Sequence, residues 1–96
     1  MAVSLATARE WLRIDGTDND AVISGLLLAA PDYIEVATGM DSITQQSEPI
    51  ADTVTKFLLT LWYNAEQAEA ERLQKTIDSL LKALTVRARE NADLES

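Results

Sequence analysis

The segment between residues 15 and 20 carries a dense group of potential metal ligands. Its oxygen-bearing side chains are Asp15, Asp18, Asn19 and Asp20. Such oxygens suit Ca²⁺, and an EF-hand loop needs them at positions 1, 3 and 5, with glycine at 6 and glutamate at 12. A loop that starts at Asp15 has Asp20 in place of the glycine and Leu26 in place of the glutamate. A loop that starts at Asp18 fails in the same way, so the spacing argues against calcium.

The same segment has the features of a helix start. Thr17 or Asp18 can act as the N-cap by accepting a hydrogen bond from a free backbone N–H group. Asp20 then lies in the first turn, where the helix dipole favours negative charge. Gly16 lets the chain turn just before the helix, and Gly39 is placed to end it. We therefore interpret the acidic segment as a loop and helix cap.

No other set of residues has the spacing of a catalytic or cofactor site. The chain contains no cysteine and no histidine, which excludes thiolate chemistry and the commonest general base and metal ligand. Glu66 and Glu69 share a helix face close to Glu71, but nothing completes a metal shell, and a solvated acidic face explains them better. The three glycines are too widely spaced for a phosphate-binding loop. We predict no catalytic residues, no metal and no cofactor.

Composition indicates one small acidic globular domain. The 96 residues are 47% hydrophobic and carry a net charge of −8. This charge disfavours tight binding to nucleic acid phosphates. No basic residue occurs between Arg13 and Lys56, so a DNA-recognition helix is not expected there.

Targeting and membrane segments are not expected either. Arg9 and Glu10 interrupt the N-terminal stretch, which lacks a basic start typical of a signal peptide. The uncharged stretch from Ala21 to Pro31 is far shorter than the ~20 residues of a membrane span. The sequence predicts a soluble, intracellular protein.

The first two predicted helices precede residue 39. Ser4 is the expected N-cap of a helix over residues 5–12, in which Trp11 lies on the apolar stripe as a core anchor. The second helix spans residues 18–38 and is apolar around more than one side. A helix of this kind is buried on two sides, and in so short a chain one side can belong to another copy. Pro31 predicts either a kink near residues 27–31 or a break at Ala30.

Two further helices follow a polar linker over residues 40–49. Ser47 and Pro49 mark the start of the third helix, and residues 57–63 are apolar nearly all round, as expected at the centre of the core. Residues 64–72 predict a helical connector or a solvated continuation. The fourth helix carries one apolar face, formed by Leu73, Ile77, Leu80, Leu81 and Leu84.

The predicted fold class is all-α: a small bundle of about four helices with a kinked second helix and a C-terminal tail. We assign residues 1–85 to the helical domain. Residues 86–96 form a charged tail that is either frayed or ordered by a partner.

The order of these segments resembles one protein family. The stretch LRIDGTDNDAVISGLLLAAPDYIEVATG (residues 12–39) is similar to the head-tail connector, or head-completion adaptor, proteins of long-tailed phages. LLTLWYNAEQA (residues 58–68) and LQKTIDSLLKAL (residues 73–84) look like their later segments, so the resemblance covers about residues 5–84. Two departures stand out: Pro31 replaces a usual helix former, and the phrase at residues 64–66 lacks the usual arginine.

The resemblance implies a structural virion protein at the head-tail junction, made in the host cytoplasm, and not an enzyme. It implies a ring of about a dozen copies below the portal protein, with DNA passing through the lumen without specific binding. A stopper or tail-completion protein would then dock on the ring. The subunit-interface candidates are Leu28, Tyr33, Val36, Leu59 and Trp62. The portal-docking candidates are Val86, Arg87, Arg89 and Leu94.

Two alternatives belong to other classes of protein. A small acidic helical regulator or antitoxin-like module would bind a basic protein as a dimer or in a one-to-one complex. An enzyme using carboxylates and a divalent metal would need a convergent shell of ligands, which the sequence does not supply.

Overall fold

Three long helices pack against one another in pairs: α2 (Asp20–Thr38), α4 (Pro49–Asn64) and α5 (Gln67–Glu95). α1 (Leu5–Leu12) lies against α2 and α4, and the short α3 (Ser42–Gln45) connects α2 to α4. The computed structural model describes residues 3–64 and 66–95, apart from the side chains of residues 64 and 92–95. Within those residues there is no strand, and the predicted all-α bundle is confirmed.

α1 has the bounds and the cap that its sequence predicts. The Ser4 hydroxyl accepts a hydrogen bond from the Thr7 amide at 3.1 Å. The helix ends at Arg13, which adopts a left-handed conformation (φ 57°) and donates its N–H to the Glu10 carbonyl at 3.1 Å. This left-handed ending turns the chain toward α2 without a glycine, a feature that the sequence pattern did not indicate.

α2 starts two residues later than predicted and has no side-chain cap. The residue before it is Asn19, and no side chain caps the first turn, so the prediction of Thr17 or Asp18 as the cap is wrong. The helix continues through Pro31 to Thr38, so a break at Ala30 is also wrong, while a kink stays a prediction. Gly39 ends α2 as predicted: it has φ 83° and donates its N–H to the Glu35 carbonyl at 2.8 Å.

The predicted linker contains a short helix. The Asp41 carboxylate accepts a hydrogen bond from the Thr44 amide at 2.7 Å, which starts α3 and lowers the pKa of that carboxyl. The buried Gln45 side chain donates to the carbonyls of Pro31 at 3.0 Å and Met40 at 2.8 Å. These bonds fasten the segment to α2 and satisfy buried carbonyl groups.

Two groups of buried side chains hold the bundle together. The main core lies between α2, α4 and α5 and contains Ala30, Ile34, Met40, Ala51, Val54, Leu58, Ile77, Leu81 and Leu84. A smaller cluster under α1 contains Ala8, Leu12, Ile23 and Leu59, with Trp11 packed against it. Adjacent residues Leu58 and Leu59 therefore point into different clusters. This explains why residues 57–63 are apolar nearly all round, as the second face of α4 is covered by α1.

α5 is longer than the predicted fourth helix at both ends. It begins within the predicted connector and is helical as far as Glu95. Ala88 packs against the main core, because residues beyond 85 still return to the core face every three or four positions. The proposed boundary between residues 85 and 86 falls inside this one helix, and the division into domain and tail stays a prediction.

Candidate assembly surface

The acidic segment before α2 is tied to α1 by one ion pair. The Arg9 guanidinium donates from Nε to Oδ1 of Asp20 at 2.8 Å and from Nη2 to Oδ2 at 2.6 Å. These hydrogen bonds lower the pKa of the Asp20 carboxyl and raise the pKa of Arg9. The bidentate geometry joins α1 to the first residue of α2. The sequence analysis did not identify this pair.

The remaining oxygen-bearing residues of the loop do not converge. Asp15, Asp18 and Asn19 are exposed. Among the described residues, no group of three or more acidic side chains is arranged to hold a metal ion. The loop thus serves as the entry to α2.

The outward face of α2 carries large apolar side chains that nothing in the described part of the chain covers. Val22 is 56% exposed, Leu28 77% and Val36 90%. The opposite face of the same helix is buried in the two clusters through Ile23, Ala30 and Ile34. We define the outward face of α2 as residues 21, 22, 25, 28, 29, 32, 33 and 36, which lie on one side of the helix at 100° per residue. Of the interface candidates, Val36 lies near its centre and Leu28 at one edge, with Asp32 between them.

Small residues run along the same face. Ala21, Gly25 and Ala29 are exposed and four residues apart. A Cβ atom added at Gly25 would meet nothing within 4 Å, so packing within the chain does not require glycine there. An interior helical glycine costs about 1 kcal/mol relative to alanine. Its presence on this face fits close approach of a second backbone from outside the chain.

The aromatic candidates lie at the edge of this face. The rings of Tyr33 and Trp62 pack edge to face, with centroids 5.6 Å apart and an angle of 82° between planes. They join α2 to α4 and leave each ring partly exposed. Leu59 is different, because it is fully buried in the cluster under α1. Its prediction as a subunit-interface residue is therefore wrong. α4 is apolar on nearly every side, so the sequence pattern does not show which of its residues face inward.

The portal-docking candidates lie in the last turns of α5. Val86 and Arg89 are exposed. Arg87 is half-exposed and lies 3.6 Å from the Glu48 carboxylate, so it already has a partner in the chain. Leu94 has its side chain outside the described residues.

The sequence pattern did not indicate one exposed apolar residue and one buried carboxylate. Ile43 on α3 is 78% exposed, and its position inside a segment taken as a linker hid it. Glu48 is buried just before α4, and its Oε2 atom has no hydrogen-bond partner among the described residues. The contact with Arg87 offsets part of the cost of burying this carboxylate.

One helix among the described residues, α2, is long and apolar enough to cross a membrane by length and composition. Core helices pass the same test, and α2 packs on α1, α4 and α5. This is weak support for a membrane span.

Comparison with known families gives one match. The sequence model of the family described as phage gp6-like head-tail connector protein matches residues 2–90. No curated protein and no solved structure matches the chain significantly. The match covers α1 to α4 and α5 as far as residue 90, which is most of the described chain, and it agrees with the resemblance seen in residues 12–39. The chain belongs to the phage gp6-like head-tail connector family.

Proposed function

We propose that this connector assembles as a closed ring of about a dozen copies below the portal, in which the outward face of α2 packs on the neighbouring subunit. The ring extends the DNA channel and presents a platform to a stopper or tail-completion protein. The observation that carries the proposal is the exposed apolar face of α2, with Leu28 and Val36 as its most exposed large side chains.

Energetics support a protein partner for this face. Burying apolar surface stabilises a complex by roughly 25 cal/mol per Å², and contiguous exposed apolar patches mark interaction sites. Residues 21–31 carry no charged side chain, so the small residues of the face separate its larger apolar ones over about three turns, up to Asp32. A flat strip of this kind suits another helix.

The charge of the protein supports the channel role. With a net charge of −8, the average surface repels DNA phosphates. A lumen lined by such surface lets DNA slide without being held.

Docking on the portal is assigned to the end of α5. Val86 and Arg89 are exposed there and offer an apolar and a basic contact. Arg87 contributes less to this surface because it faces Glu48 of its own chain. Leu94 remains in the proposal on the sequence pattern alone.

Substitution of the α2 face tests the interface. In the variant with Leu28→Glu and Val36→Glu, we expect a folded monomer, since exposed substitutions change stability by about 0.5 kcal/mol or less. Ring formation is lost, because two charges would be buried between subunits. The measurement is the number of copies bound per purified portal ring, by native mass spectrometry, with circular dichroism as the check on folding.

The control is Ile43→Glu, which adds one of these two charges on an exposed aliphatic residue of α3. We expect this variant to assemble as the unmodified protein does. Unchanged assembly of the double variant, or equal loss in the control, would overturn the assignment of the α2 face.

A further inference from the structure

We propose that the surface receiving the outward face of α2 is the basic outward face of α5 on the next copy of the chain. This inference rests on the proposed ring and names the two faces that meet in it. We define the basic face of α5 as Arg72, Lys75, Ser79, Lys82 and Ala83.

The basic residues of this acidic chain are unevenly distributed. Residues 72–89 contain five of its eight basic residues and one acidic residue, which gives this segment a net charge of +4 in a chain of −8. Lys75, Lys82 and Arg89 are seven residues apart, so they form a line along one side of the helix. All three are exposed, opposite the core residues Ile77, Leu81 and Leu84.

The two lysines of this line have no charged or hydrogen-bonded partner among the described residues. Arg9 and Arg87 pair with Asp20 and Glu48, and Lys56 lies 5.9 Å from the centre of the Trp11 ring. In the described part of the chain, the side chains of Lys75 and Lys82 make no ion pair or hydrogen bond. Apart from Arg87, the basic side chains held by these contacts lie outside α5, while Lys75 and Lys82 face outward.

In the described part of the chain, Lys75 and Lys82 form no ion pair with their acidic neighbours on α5. Glu71 precedes Lys75 by one turn and Asp78 precedes Lys82 by one turn. Asp78 instead accepts a hydrogen bond from the Gln74 amide at 2.9 Å. On the other side of the line lie the exposed small residues Ser79 and Ala83. The face is thus a strip of small side chains with a basic edge.

The outward face of α2 has the complementary arrangement. Asp32 lies within its small and apolar strip and Glu35 lies at one edge, and both are exposed and without an ion pair in the described part of the chain. Acidic groups on one helix strip and basic groups on the other favour the registers that bring them together and disfavour the others. Small residues on both faces permit close contact between the backbones.

The positions of the two faces suit a ring. α2, α4 and α5 pack in pairs around one core, so their outward faces point in different directions. An interface between two different faces is head-to-tail, and repetition of it closes a ring when the rotation permits. Arg89 continues the basic line toward the proposed portal contact and is assigned to that contact.

Reversal of charge on each face tests the pairing. The first variant carries Lys75→Glu and Lys82→Glu, and the second carries Asp32→Lys and Glu35→Lys. Each alone places like charges across every interface, so each is expected to bind portal rings in at least tenfold fewer copies than the unmodified protein. An equimolar mixture restores opposite charges at every interface, and we expect it to recover rings in which the two variants alternate.

Two control variants have the same net charges as the test variants. Arg13→Glu with Lys56→Glu matches the first, and Glu10→Lys with Asp15→Lys matches the second; all four sites are exposed. We expect both controls to assemble normally. Native mass spectrometry with portal rings gives copy number and the proportion of each variant in mixed rings.

The outcomes separate the two proposals. Recovery only in the mixture of test variants supports pairing of α2 with α5. Normal assembly of either test variant, or failure of the mixture to form rings, overturns the pairing. The proposed function stands in that case if the unmodified protein forms rings. Absence of rings from the unmodified protein overturns the ring itself. If the variant with Lys75→Glu and Lys82→Glu assembles normally but binds duplex DNA less than the unmodified protein, the pairing is overturned and the basic face is assigned to DNA.

Discussion

At the scale of single residues, local signals in the sequence predicted the caps that depend on neighbours in the chain. Ser4 and Gly39 act as predicted because each bonds within four residues. The pair of Arg9 with Asp20 was not predicted, since it joins residues eleven apart after a left-handed turn at Arg13. Acidic residues near a helix start have several possible roles, and only the fold shows which one has a cationic partner.

The Arg9 pair predicts a pH-dependent contribution to stability. The pKa of Asp20 is lower in the folded state than in the unfolded chain because Arg9 donates hydrogen bonds to it. Its contribution is therefore present above the unfolded pKa, about 3.9, and is lost as pH falls through the folded pKa. We expect Asp20→Asn to lower the melting temperature at pH 7, with the difference from the unmodified protein decreasing as pH falls below about 3.9 and through the folded pKa.

Thermal unfolding followed by circular dichroism measures this difference, under conditions in which the protein is monomeric. Asp18→Asn serves as the control, because Asp18 is exposed in the same loop. An Asp20→Asn effect that persists unchanged at low pH would contradict the ion-pair explanation.

Gly25 predicts opposite effects on folding and assembly. Gly25→Ala should raise the free energy of unfolding of the monomer by about 0.5–1 kcal/mol, since alanine has the higher helix propensity and its Cβ has free space. Ring formation should weaken if another backbone approaches this point. Gly39→Ala is the comparison variant: with φ 83°, it should destabilise the monomer. Chemical denaturation and native mass spectrometry give the two quantities, and unchanged assembly of Gly25→Ala would argue against close approach.

At the scale of elements, hydrophobic periodicity predicted four helices and placed α1 within its observed bounds. It underestimated α5, because the last turns use one small core contact, Ala88, and the ion pair of Arg87 with Glu48. It also missed α3, which is held by the buried Gln45 side chain rather than by an apolar face. Contacts between distant residues determined each of these differences.

The correction at Leu59 leads to a direct comparison of two leucines. Leu59→Ala should lower the free energy of unfolding by about 2–5 kcal/mol, because it leaves a cavity under α1. Leu28→Ala should change it by about 0.5 kcal/mol or less, because Leu28 is exposed in the monomer. Urea denaturation of the two variants measures both values. Similar losses for the two would contradict the assignment of one residue to the core and the other to the surface.

At the scale of the whole molecule, the domain is flat, with extents of 46 × 27 × 17 Å. α5, at 29 residues, is about 43 Å long by the helical rise and sets the long axis. Composition predicted an acidic domain, the apolar circumference of the second helix predicted a side that another copy can cover, and segment order predicted the family. The family match favours the connector role over the regulator or antitoxin-like alternative. Which apolar residues face outward required the fold, since α2 and α4 are apolar around most of their circumference.

Native mass spectrometry of the unmodified protein, first alone and then with purified portal rings, tests the ring most directly. We predict either a large closed oligomer in solution or a monomer that binds the portal ring in about a dozen copies. A stable dimer that does not respond to the portal would contradict the account.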